Sequence, residues 1–173
     1  MSRIGFVAPD LRRLEGVPAD AVVIFRFSDP LPFAGAASLV DWRMLGHLSS
    51  LAIRGFLTGE EGEALLMPFS GRLPQRHLLV FGLGPRAGFC EAVFERAFAK
   101  MLDTVLRLGG KSIAACLPGR AEGLVPPEQA AQWLLPLHEE QGEDCPLTLI
   151  EPLAAQKIMA QVLEKWRLRR LVP

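Results

Sequence analysis

The stretch HLLVFGLGPRA, residues 77–87, carries the sharpest chemical signal in this sequence. An apolar run leads into Gly82-x-Gly84-x-x-Ala87 and then toward a helix. A tight turn of this kind lets a phosphate approach backbone amides at a helix N-terminus, so the spacing satisfies a loose dinucleotide fingerprint. Three features pull the other way. Pro85 removes an amide from the cradle. The helical pattern starts only near residue 91, and Pro118-Gly119-Arg120 stand where an acidic ribose contact would close the next strand. The competing reading is a glycine-rich strand exit in an α/β fold.

Other chemistry is thinly spread. His47, His77 and His138 are scattered and share no ligand spacing with a cysteine or carboxylate. Cys90, Cys116 and Cys145 form neither a C-x-x-C pair nor a disulfide framework, which fits a reducing, cytoplasmic setting. Glu60, Glu61 and Glu63 cluster in what reads as a solvated turn. No G-x-S-x-G motif and no Walker loop occur. Lys165, Arg167, Arg169 and Arg170 make the last helical turn basic, which suits the negative end of a helix dipole. Lys+Arg and Asp+Glu are both 19, so nucleic acid and anionic membranes are disfavoured as main partners. No apolar run has the length of a membrane span.

Elements must hold these groups in place. The 173 residues are 50% hydrophobic and 22% charged, which reads as one domain, residues 1–173, with an ample core. Ile4–Ala8 reads as an edge strand, and residues 10–20 as a charged loop. The run Ala21–Phe27 is a buried strand. One helix is expected from Leu39 to Gly55, with Leu45, Leu48 and Ala52 inward, Trp42 and Leu51 beside them, and Asp41 at its start. Ala64–Phe69 and His77–Gly82 are strands of an antiparallel pair. Glu91–Leu108 is a helix burying Phe94, Ala97, Phe98, Met101 and Val105. Ser112–Leu117 and Leu147–Ile150 are further strands. Pro127 opens a helix to about His138, and Pro152 opens the last, with Ala155, Ile158, Met159, Val162 and Trp166 inward. This alternation predicts a three-layer α/β/α sandwich with a mixed sheet.

Residues 53–84, IRGFLTGEEGEALLMPFSGRLPQRHLLVFGLG, resemble the N-terminal domain of the leucyl aminopeptidase (cytosol aminopeptidase) family. Phe56, Gly59, Gly62, Glu63, Arg76, Gly82, Leu83 and Gly84 match the family pattern, and Glu60 stands where the family often has lysine. The resemblance implies a macro-domain-like fold. It also implies that the family's metal chemistry belongs to a different domain. That domain's Asn-Thr-Asp-Ala-x-Gly-Arg-Leu type of motif does not occur in these residues, so no catalytic residue, metal ligand or cofactor is carried over.

True macro domains bind ADP-ribose through a paired asparagine and a glycine-rich loop, whereas this sequence contains no asparagine. A ligand pocket of macro type would lie at the strand ends near Ser28–Ala37 and Gly82–Gly88, using Ser28, Gly35, Gly82 and Gly84. Two functions are therefore expected. The first is a non-catalytic module that binds a second copy of itself or a partner protein, such as a peptidase it regulates. The alternative is a macro-type module for ADP-ribose or a nucleotide.

Overall fold

The computed structural model describes residues 3–68 and 73–171. Its centre is β2 (Ala21–Arg26), AVVIFR, a β-branched run buried along nearly its whole length. Such a run needs cover on both faces, and parallel neighbours with flanking helices supply it. β2 pairs in parallel with β4 (His77–Gly82) on one side and β5 (Ile113–Ala115) on the other. β5 pairs in parallel with β6 (Leu147–Ile150), which pairs in parallel with the edge strand β1 (Ile4–Val7). At the other edge β3 (Ala64–Pro68) runs antiparallel to β4. The sheet order is β1-β6-β5-β2-β4-β3. It is the mixed sheet the alternation predicted.

Two apolar layers flank it. Val23, Phe25, Leu79 and Phe81 point to one face, where α4 (Glu91–Arg107), α5 (Pro127–Gln141) and α6 (Leu153–Leu171) close the larger core. Phe94, Ala97, Phe98, Met101 and Val105 of α4 are all buried, as their three-four spacing requires. Val22, Ile24, Leu78 and Val80 point the other way, toward α1 (Leu11–Glu15), α2 (Gly35–Arg43) and α3 (His47–Ile53). The fold is the three-layer α/β/α sandwich that the alternation predicted.

Four expectations need correction. The charged segment 10–20 contains the short helix α1, because the Asp10 carboxylate accepts the Arg13 N–H at 3.1 Å and caps it. The helix expected from Leu39 to Gly55 begins earlier, at Gly35, and is two helices. Leu45 (φ 58°) and Gly46 (φ 73°) are both left-handed and break it. The break turns Trp42 and Leu45 outward, while Leu48 stays buried. Asp41 therefore serves a different helix from the one expected: its carboxylate accepts the Ser49 N–H and hydroxyl and caps the first turn of α3. Ile158 is exposed, because the buried stripe of α6 runs through Ala155, Met159 and Leu163 instead. Part of the β3–β4 connection, residues 69–72, and the side chain of Arg170 lie outside the described residues.

Candidate functional site

Three chain crossings meet where the parallel strands end. The β2–β4 ladder continues past the strands: the Leu83 N–H donates to the Arg26 carbonyl, and the Ser28 N–H to the Gly84 carbonyl, each at 2.9 Å. The Asp29 carboxylate accepts the Arg86 N–H at 2.7 Å, tying the loop after β2 to the single 3-10 turn Arg86–Gly88. Phe89 follows that turn. Its ring meets Phe27 edge-on at 5.4 Å and fills the space beside Gly119, where a methyl would fall 2.6 Å from the ring. The loops after β2, β4 and β5 are thus locked together by one aromatic contact and one charge-assisted hydrogen bond.

A cavity of about 240 Å³ opens among these loops. Its walls are apolar on one side, with Phe25, Phe27 and Phe33, and charged on the other, with Arg26, Asp29, Arg86 and Glu122. The Arg26 guanidinium lies 4.9 Å over the Phe33 ring and donates one N–H to the Leu31 carbonyl at 3.2 Å. Its Nε is buried without a partner. Burial lowers the Arg26 pKa, against the pull of Glu63 and Asp41. Burial likewise raises the Glu122 pKa, opposed by its own backbone and by Arg86.

A second cavity, about 170 Å³, is lined by Gly35 and Ala121 and reaches to the residue after β6, Glu151. A methyl on Gly35 would stand 3.1 Å from the Ala121 side chain, so the two loops pack closely there. Arg120 and Glu151 form a bidentate ion pair on its wall, with Nε–Oε1 at 3.0 Å and Nη2–Oε2 at 2.7 Å. The third arm of Arg120 donates to the Val125 carbonyl at 2.6 Å. Cys116 also lines this cavity; burial, with the charges of Glu151 and Glu122, pushes its thiol up to about 12, so it stays protonated.

The four residues singled out from sequence are divided by the structure. Gly35 opens α2 and lines the second cavity. Ser28 sits between the cavity residues Phe27 and Asp29 and spends its N–H on Gly84. Gly82 and Gly84 face away from both cavities and meet the 58–63 turn. A methyl on Gly82 would fall 1.9 Å from the Glu60 carbonyl oxygen, and the Gly84 N–H donates to the Gly59 carbonyl. The Glu63 carboxylate holds that turn by accepting the Thr58 and Gly59 N–H groups at 3.0 and 2.6 Å. Among the described residues no three potential metal ligands converge. His138 is buried and its Nε2 hydrogen-bonds the Cys145 carbonyl at 3.0 Å.

No family model matches the chain. A probable cytosol aminopeptidase of Thermosynechococcus vestitus is 30% identical over 98 residues, which are 57% of this chain and 20% of that protein. The chain thus matches about a fifth of the length of that relative. Among solved structures, a tomato leucine aminopeptidase superposes with TM-score 0.64 at 14% identity, over 94% of this chain and 36% of that one. The chain resembles the N-terminal domain of the leucyl aminopeptidases. A Trypanosoma brucei macrodomain solved in complex with ADP-ribose gives TM-score 0.67 at 20% identity, over 94% of this chain and 68% of that one. At such identities the likeness is one of fold. For this aminopeptidase-like chain the charged cavity residues were missed in the sequence. Only their places, just past the ends of β2, β4 and β5, offered a signal.

Proposed function

We propose that the chain is a non-catalytic docking module whose partner is a second copy of itself. The observation that carries this reading is the break between α2 and α3. It leaves Trp42 67%, Leu45 75%, Ile53 87% and Phe56 66% exposed within fifteen residues. An open groove joins that break, at Met44 and Leu45, to Met67 and Pro68 of β3. Ser50 lines the groove, and Ile53 lies three residues on, on the same helical face. β3 is also one of the sheet's two edges, and its sequence ALLMP carries no charge to block pairing and has its proline only at the last position. A two-fold antiparallel pairing of β3 with β3 would set the acidic Glu60–Glu61 end of one copy against the Arg76–His77 end of the other. Zero net charge removes any general repulsion between copies.

Sedimentation equilibrium tests this. The wild type is expected to dimerise, and Leu66→Lys to be a folded monomer. Leu45→Gly is expected to weaken the dimer while stabilising the fold by about 1 kcal/mol, because glycine accepts a φ of 58° that strains leucine. A folded wild-type monomer at the highest soluble concentration would refute the reading. Purified protein is further expected to show no metal-dependent hydrolysis of leucine anilides. The chain's relatives are called cytosol aminopeptidases, which supports a cytoplasmic setting, and among the described residues no helix is long and apolar enough to cross a membrane.

A second reading has its own observation, the cavity at the ends of β2, β4 and β5. The position suits a small-ligand module, and an ADP-ribose-bound macrodomain shares the fold. Titration with ADP-ribose, NAD and ATP tests it.

A further inference from the structure

The larger cavity constrains its ligand by size and by charge. At roughly 30 Å³ per water, its volume matches about eight water-sized groups, below the ~300 Å³ where drug-sized pockets begin. A ligand of about eight to twelve non-hydrogen atoms is therefore the scale, well short of a whole dinucleotide or ADP-ribose.

The walls then specify two charges and an apolar body. On the cationic side, Arg26 lines the cavity and, among the described residues, spends only one terminal guanidinium N–H, on the Leu31 carbonyl. The Arg86 guanidinium makes no hydrogen bond among the described residues and acts on Glu122 by charge alone. Two guanidinium groups with unused donors suit a carboxylate. On the anionic side, Asp29 uses Oδ2 for the Arg86 N–H and keeps Oδ1 for another donor. Glu122 stands half-buried, and a cation beside it would offset the burial that raises its pKa. The remaining wall is phenylalanine.

We propose that this cavity binds a free α-amino acid with an apolar side chain. Its carboxylate lies on Arg26 and Arg86, its ammonium on Asp29 and Glu122, and its side chain on the phenylalanine wall. The inference rests on the second reading above and names the ligand class for that site. A neutral apolar ligand would leave the guanidinium donors unsatisfied in a half-buried setting, and a bare anion would leave the apolar wall uncovered.

Calorimetric titration of the full chain tests it. Leucine and phenylalanine are expected to bind. Leucinamide, lacking the carboxylate, and N-acetyl-leucine, lacking the ammonium, are each expected to bind at least about tenfold more weakly, as is glycine, which lacks the apolar body. Arg86→Gln and Phe33→Ala are expected to weaken leucine binding by a similar factor, with circular dichroism reporting that both variants fold. Equal affinity for leucine, leucinamide and N-acetyl-leucine would overturn the proposal. Binding of ADP-ribose with no response to amino acids would overturn it and leave the second reading standing. No response to any of these ligands would remove both.

Discussion

Replacing Arg120 by methionine strands a charge. Glu151 is 2% exposed, and both its carboxylate oxygens are taken by Arg120. Among the described residues no other donor reaches that carboxylate. An exposed ion pair is worth about 0–1 kcal/mol. Removing one partner of a buried pair costs about 3–5 kcal/mol, because the remaining charge stays desolvated and unpaired. The Val125 carbonyl loses its donor as well, about another 1 kcal/mol. For a chain of this size, each kcal/mol moves the melting temperature by about 2–4 °C, so a total of about 4–6 kcal/mol for Arg120→Met is expected to lower it by roughly 8–24 °C. Glu151→Leu is expected to cost less, because the arginine is the more exposed partner, at 12% against 3%, and keeps its bond to Val125. The double variant is expected to recover most of the loss, since an apolar pair of similar volume replaces an ion pair that was costly to bury. Urea denaturation of the four proteins closes the cycle and gives the coupling directly. If Arg120→Met costs under about 1 kcal/mol with an unchanged urea slope, the pair is solvated and its reading as a buried ion pair fails.

Two further outcomes follow from the glycine turn and the buried histidine. Gly82→Ala is expected to cost about 3 kcal/mol or more, since a backbone carbonyl at 1.9 Å must move. Gly62→Ala, at φ 89° with open space around it, is expected to cost only about 1–2 kcal/mol of backbone strain; urea midpoints compare the two, and equal costs would contradict the packing argument. Burial lowers the His138 pKa, despite its bond to Cys145 and the charge of Glu143. Between the folded and unfolded pKa values the unfolded chain binds more protons, so stability contributed by neutral His138 is present above the unfolded value of about 6.5 and is lost as pH falls toward the folded one. Thermal melts across that window are expected to show the loss in the wild type and a flatter profile in His138→Gln.

What the sequence discloses depends on how local the cause is. α4 could be read position by position, because five apolar residues at helical spacing leave one burial solution. β2 and β4 were equally plain, since an apolar run without alternation demands cover on both faces. The α2–α3 break was hidden. Leucine is among the better helix formers, and nothing in its neighbours announces a φ of 58° at Leu45. The same break produces the exposed apolar surface, so the docking face could not be seen until the helix was known to be two. α1 was missed because a five-residue helix depends on one cap, Asp10, more than on any pattern. At the cavity the location was legible as strand ends. Its chemistry was not, because Arg26, Asp29, Arg86 and Glu122 come from three separate crossings and form no motif.

The resemblance to the aminopeptidases has a physical content that limits what it says about function. Its most specific residues are Gly59, Gly62, Glu63, Gly82 and Gly84. Each is explained by the packing of one turn against one strand exit. Gly59 is left-handed and abuts the Phe27 carbonyl, where a methyl would fall 2.3 Å from the oxygen. Gly62 is left-handed within the turn that Glu63 closes. Gly82 admits the Glu60 carbonyl, and Gly84 carries hydrogen bonds to both Gly59 and Ser28. A phosphate-binding loop would instead turn its free amides toward a cavity. Here the Gly84 amide is spent on backbone, and neither Gly82 nor Gly84 lines the cavities found beside it. The motif therefore holds the register of β3 against β4, and with it the free edge on which the docking reading depends. Two relatives could share every one of these glycines and differ completely at Arg26, Asp29, Arg86 and Glu122. For that reason the proposed amino-acid site must be judged by titration on this chain, and likeness to an aminopeptidase neither supports nor weakens it.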